Sequence, residues 1–83
     1  MRVSNDYSVV KREDEFYLVN INNGDVFSIN DVTLDIVTLC DRYDTVSALC
    51  DIVYGKYSGE GNYSKEELLS FVQEMINNGI IIE

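Results

Sequence analysis

Cys40 and Cys50 are the side chains best suited to nucleophilic or metal chemistry in this sequence, and neither has the company that such chemistry needs. A catalytic thiol is usually activated by an imidazole, and the chain has no histidine. A structural zinc site takes four nitrogen or sulfur ligands, whereas here there are two thiols and no Cys-x-x-Cys pair. Both cysteines fall instead on the apolar faces of consecutive predicted helices, where a free thiol behaves as a small buried hydrophobe. The acidic run Glu13-Asp14-Glu15 fares no better as an acid–base or cation site. Neighbouring carboxylates of a turn do not converge on one point, and the spaced Asp-x-Asp-x-Asp-Gly loop of a calcium site is missing. The run reads as a solvated turn. No nucleophile has a visible partner, so an enzyme is the function class the residues support least, and they imply no cofactor and no metal.

The elements that would carry these residues are those of a small folded chain. With 83 residues there is room for one domain spanning 1–83, which buries roughly 60–65% of the surface of its unfolded chain. An apolar fraction of 46% with 11% aromatics separates it from a disordered acidic tail, although its net charge is -9. No run approaches the roughly 18 apolar residues of a membrane span, and Met1 to Asp6 leads into no signal-peptide stretch. The expectation is a cytoplasmic protein without a membrane partner. The cations Arg2, Lys11, Arg12, Arg42, Lys56 and Lys65 are scattered, and the third predicted helix sets Lys65 against Glu66, Glu67 and Glu74. Phosphate binding needs a cluster of cations, so no nucleic-acid partner is expected.

A strand is expected from Tyr7 to Lys11 and another from Glu15 to Ile21, which is rich in aromatic and β-branched residues. Asn23-Gly24 suits a type I′ hairpin turn of two residues, which would set Ile21 opposite Val26 and Leu18 opposite Ile29. Alternation assigns Phe16, Leu18, Phe27 and Ile29 to the core and Tyr17, Val19, Ile21 and Val26 to the opposite face. That second face is either an enzyme-docking patch or ordinary exposed β-formers. Asn30, or Asp31 if the helix starts a residue later, is an N-cap for a helix carrying Val32, Ile36, Leu39, Cys40 and Tyr43, which stops around Arg42 to Asp44. Thr45 caps a second, with Val46, Leu49, Cys50, Val53, Tyr54 and Tyr57 at helical spacing. Residues 58–62 read as a connector. Ser64-Lys-Glu-Glu67 is a capping box for a third helix, whose stripe is Leu68, Val72, Met75 and Ile76, with Leu69 and Phe71 on opposite flanks. Asn78-Gly79 ends it, and Ile80-Ile81-Ile82 docks as an extended tail. The expected class is α+β, winged helix-turn-helix-like, with a three-stranded antiparallel sheet packed on three helices.

This order resembles the PqqD-like domains, also called RiPP recognition elements, which serve enzymes that modify ribosomally made peptides. The residues that carry the resemblance are the hairpin, Ser28-Ile29-Asn30 entering a helix, Thr45-Val46 opening a second that ends near Tyr57, and a third closing in Asn78-Gly79-Ile80-Ile81. It covers about Tyr7 to Ile82 and rests on apolar patterns, not on a catalytic signature. Family members commonly have a glycine between the first two helices, where this chain has Asp41-Arg42-Tyr43-Asp44. The resemblance implies a non-catalytic module that binds the leader of a precursor peptide as an added strand. It implies a receiving edge of Val26, Phe27, Ser28 and Ile29, and a groove wall drawn from Lys65, Leu68, Leu69, Val72 and Ile76. A peptide-modifying enzyme is the implied second partner: a radical SAM enzyme, a leader protease or a cyclase, with lasso peptides, thioether-bridged peptides and redox cofactors all compatible products.

An unpaired strand edge gives affinity through main-chain groups with little sequence demand, and pockets supply specificity. The same free edge also admits a dimer. Two other readings compete. One is a winged-helix adapter or regulator that binds a protein. The other is an acyl-carrier-like protein, for which the nearest attachment setting is Asp31-Val32-Thr33-Leu34, without the serine that holds a phosphopantetheine arm.

Overall fold

The computed structural model describes residues 1–57 and 63–83, and the connector expected at 58–62 lies outside the described residues. Its elements are β1 (Arg2–Val3), β2 (Tyr7–Arg12), β3 (Glu15–Asn20), β4 (Val26–Ile29), α1 (Asp31–Leu39), a short 3₁₀ turn (Cys40–Arg42), α2 (Val46–Tyr57), α3 (Lys65–Asn77) and β5 (Ile81–Ile82). The fold is α+β, with a three-stranded antiparallel sheet ordered β2-β3-β4 and three α-helices. Among the described residues a second, two-stranded sheet joins β1 to β5, so that the segment following α3 pairs with the first residues of the chain.

Local chemistry starts the helices where the sequence predicts them, but the first ends earlier than expected: α1 stops at Leu39, Cys40 lies in the 3₁₀ turn and Tyr43 is extended. Asn30 caps α1, its Oδ1 accepting from the Thr33 amide (2.9 Å) and the Thr33 hydroxyl (2.8 Å). Thr45 Oγ1 accepts from the Ala48 amide (3.1 Å) at the start of α2. At α3 the capping box is complete: the Glu67 amide donates to Ser64 Oγ (3.1 Å) and the Ser64 amide to Glu67 Oε1 (3.3 Å). The helix closes on Gly79 at φ 75, with the Gly79 amide donating to the Ile76 carbonyl (3.0 Å) and the Ile80 amide to that of Met75 (2.9 Å). These two bonds form a Schellman motif, which satisfies carbonyls that the helix end would otherwise leave unpaired.

The hairpin differs from expectation in register. The strands pair Phe16↔Ile29, Tyr17↔Ser28, Leu18↔Phe27 and Val19↔Val26, two residues away from the pairing that a two-residue Asn23-Gly24 turn would give. β3 ends at Asn20, and the loop is the longer Ile21-Asn22-Asn23-Gly24. Asn20 builds it by accepting the amides of Asn22 (2.9 Å) and Asn23 (3.3 Å) on its Oδ1, while Gly24, at φ 80, returns its amide to the Asn20 carbonyl (2.8 Å). The tight turn lies instead at Glu13-Asp14, between the paired Arg12 and Glu15, with Glu13 at φ 59.

The core is helical. Val32, Ile36, Val37, Cys40, Leu49, Cys50, Val53, Leu68, Val72 and Met75 are buried together with Ile81 of β5. In the three-stranded sheet Leu18 alone is buried; Phe16 and Ile29 are partly covered, and Phe27, expected in the core, is 48% exposed. Alternation names the side of the sheet a residue faces, but not whether a helix covers it there.

The two thiols are free and buried, and burial pushes both above their ordinary value of 9.0. A group whose folded value is raised stabilises the fold fully below its unfolded value and loses that contribution as pH climbs through the folded one. Two outcomes are expected. Native protein reacts with a thiol reagent far more slowly than denatured protein, and urea stability falls above about pH 9, less steeply in a Cys40→Ala, Cys50→Ala double variant. Equal labelling rates for native and denatured chains would contradict the burial.

Candidate functional site

The candidate site lies on the free side of β4. The Asn20 amide donates to the Asp25 carbonyl (2.8 Å), and bonded and non-bonded pairs alternate along an antiparallel ladder. With the observed register, Leu18/Phe27 and Phe16/Ile29 are therefore the bonded pairs, and Val19/Val26 and Tyr17/Ser28 the non-bonded ones. The opposite neighbour fixes the same phase: the Ile21 amide donates to the Asp6 carbonyl (2.9 Å), so odd-numbered residues of β3 bond towards β2 and even-numbered ones towards β4. The amides and carbonyls of Val26 and Ser28 consequently point away from β3. Among the described residues no strand lies on that side.

Below this edge, between the sheet and α3, runs a cleft of about 490 Å³. Leu18, Phe27 and Ile29 line it from the sheet, and Phe71, Glu74, Met75 and Asn78 from α3 and its cap. A smaller cavity continues it past Asn30, Tyr63, Glu67, Leu68 and Phe71. Phe71 belongs to both and is 36% exposed, so two aromatic rings, Phe27 and Phe71, stand half open to solvent in the walls of one groove. On α3, Glu67, Phe71, Glu74 and Asn78 follow one another at spacings of four, three and four, which keeps them on one side of the helix.

Of the residues expected to bind peptide, Phe27, Ser28 and Ile29 line the main cleft, while Val26 belongs to the edge but directs its side chain to the opposite face. Leu68 is buried and borders the smaller cavity, and Val72 is fully buried in the core. Lys65, Leu69 and Ile76 share another side of α3. Lys65 forms an ion pair with Asp51 of α2, which holds its ammonium above the usual range, and Leu69 and Ile76 pack on the helical core. The α3 side chains that line the main cleft are thus those of the Phe71 flank. Phe71, Glu74, Met75 and Asn78 are the residues sequence reasoning did not assign to it.

The outer face of the sheet carries a smaller depression of about 240 Å³ formed by Val10, Arg12, Tyr17, Val19 and Val26. There the Tyr17 hydroxyl donates to Glu15 (2.7 Å), a bond that raises its pKa. The Thr33 hydroxyl, the only one in the segment compared with carrier attachment sites, is buried and donates to Asn30. Among the described residues no group of three or more His, Cys, Asp or Glu could hold a metal ion, and no helix is long and apolar enough to cross a membrane.

Residues 15–81 match the sequence model of one family, described as coenzyme PQQ synthesis protein D, PqqD. The chain belongs to the PqqD family. The match begins at β3 and ends in β5, so it takes in both walls of the groove. PqqD proteins are small accessory proteins of coenzyme PQQ synthesis that bind a partner enzyme and a peptide. No curated protein and no solved structure matches the chain.

Proposed function

We propose that this PqqD-family protein is a non-catalytic module that binds the leader of a ribosomally synthesised precursor peptide as an added strand along β4 and presents it to a modifying enzyme. The observation that carries the reading is the open edge: Val26 and Ser28 turn their amides and carbonyls away from β3, at the mouth of an apolar groove. An extended peptide can satisfy those groups and lay alternate side chains into the cleft. The contact set is Val26 to Ile29 with Phe71, Glu74, Met75 and Asn78, over a floor supplied by Leu18 and Leu68. The outer face at Val10, Tyr17 and Val19 stays free for the enzyme. Holding the leader beside an active site raises the local concentration of the core peptide to about the mM range for a short flexible tether, without contacts to the residues being modified.

Isotope-labelled protein titrated with the leader segment of a ribosomal precursor peptide from the same genome is expected to show saturable amide shifts at Val26 to Ile29 and at Phe71, Glu74, Met75 and Asn78. A folded protein with no shifts at several hundred micromolar leader would overturn leader recognition. Shifts confined to the outer face would mark that surface, not the groove, as the binding site.

A further inference from the structure

The groove has a charge of its own. Among the described residues none of its lining side chains is basic, while Glu67 and Glu74 stand on the α3 wall on either side of Phe71. The cations of the helical layer that form ion pairs do so on other faces, Lys56 with Asp35 (2.9 Å) and Lys65 with Asp51. Glu74 has no basic partner among the described residues, and Glu67 is engaged only through its capping bond to the Ser64 amide. The acidic character of the chain is therefore left uncompensated where the open strand edge and the two exposed rings meet.

Strand geometry converts this into a spacing. A peptide bonded to the outward groups of Val26 and Ser28 sets one residue opposite Phe27, and that residue shares the face of Phe27 and enters the cleft between Phe27, Phe71 and Met75. Its immediate neighbours turn to the outer face. The next groove-facing positions are two residues away on each side. Glu67 and Glu74 lie about 10 Å apart along α3 and the two flanking positions about 13 Å apart along an extended peptide, a difference that long basic side chains can span; Glu74 lines the part of the groove that holds Phe27, and Glu67 the part at Asn30, just past Ile29.

We propose that the groove selects extended segments in which a large apolar residue is flanked, two positions away on each side, by lysine or arginine. This specificity rests on the strand-addition reading above. The apolar residue supplies the buried anchor, and the long basic side chains lie along Phe71 while placing their charges on the carboxylates. Register comes from their spacing, because a basic residue one position off is carried to the opposite face, among Val26, Val19 and Tyr17.

A library of random twelve-residue peptides displayed on their own mRNA and selected on the immobilised full chain tests this. A parallel selection uses a Glu67→Gln, Glu74→Gln variant, in which glutamine preserves the capping box. On the unaltered protein the expected winners carry an apolar anchor with Lys or Arg at the two flanking positions, favoured over Asp or Glu about tenfold, and on the variant that preference falls to parity. Winners that shift the Val26 to Ile29 amides but show no basic preference, or show it at every spacing, overturn the proposed specificity and leave strand addition standing. Winners that never touch β4, or no winners at all, overturn strand addition itself.

Discussion

A Ser28→Pro variant is expected to lose about ten- to a hundredfold in leader affinity while remaining folded. Ser28 occupies a non-bonded position of the β3–β4 ladder, so its amide faces the open edge and contributes nothing to the pairing with β3. Proline is tolerated on an edge strand when the missing donor is on the free side, and it favours an extended preceding residue, which Phe27 already is. An incoming peptide loses a donor and meets the pyrrolidine ring where its own carbonyl should lie. Phe27→Pro, one residue away, is the control. It removes an amide that bonds to Leu18 and leaves a ladder carbonyl unpaired, which costs about 1–3 kcal/mol of stability. Calorimetric titration with the leader, paired with urea melts, reads both quantities. Unaltered binding by Ser28→Pro would mean that the peptide does not add to this edge.

The contrast between these adjacent positions depends on a register that local sequence does not determine. Asn23-Gly24 is a strong turn signal, and the turn is indeed there, with Gly24 in the left-handed region. Its length is set by Asn20, whose side chain gathers the Asn22 and Asn23 amides and ends β3 before Ile21. The resulting displacement is two residues. Because side chains alternate with a period of two, Phe16, Leu18, Phe27 and Ile29 still share a face, and the patterning of the sheet is legible although the partners of each residue are not.

A similar division holds on α3. Its capping box, apolar stripe and glycine stop can all be read directly from Ser64 to Gly79, because each depends on residues within a turn or two of one another. Which flank faces the sheet depends on where α2 packs. Leu69 and Phe71 are equally apolar, but the Asp51–Lys65 pair lies on the side of Leu69 and Ile76, leaving Phe71, Glu74 and Asn78 to the groove. The pairing of β1 with β5 is likewise without a local signal. It joins two dipeptides from opposite ends of the chain, and Ile81 is held by burial under the helices.

That division of labour predicts a double dissociation between Leu49→Ala and Phe27→Ala. Leu49 is fully buried at the centre of the helical core, and truncating such a leucine costs about 2–5 kcal/mol through lost transfer energy and the cavity left behind. A chain of this length is held together by roughly 4–12 kcal/mol, so the urea midpoint should fall by a large fraction. Leader affinity measured under conditions where the variant is still folded should change little, because Leu49 lines neither part of the groove. Phe27 is half exposed and lies outside the core cluster, so its truncation should cost under about 1 kcal/mol of stability. The same change removes one of the aromatic side chains that line the cleft with Tyr7 and Phe71, and a loss of about 2 kcal/mol in binding, some thirtyfold, is expected of such an anchor. If Phe27→Ala instead lowered the urea midpoint as much as Leu49→Ala while binding the leader normally where it is still folded, the ring would be a structural element of the sheet and the groove would lie elsewhere.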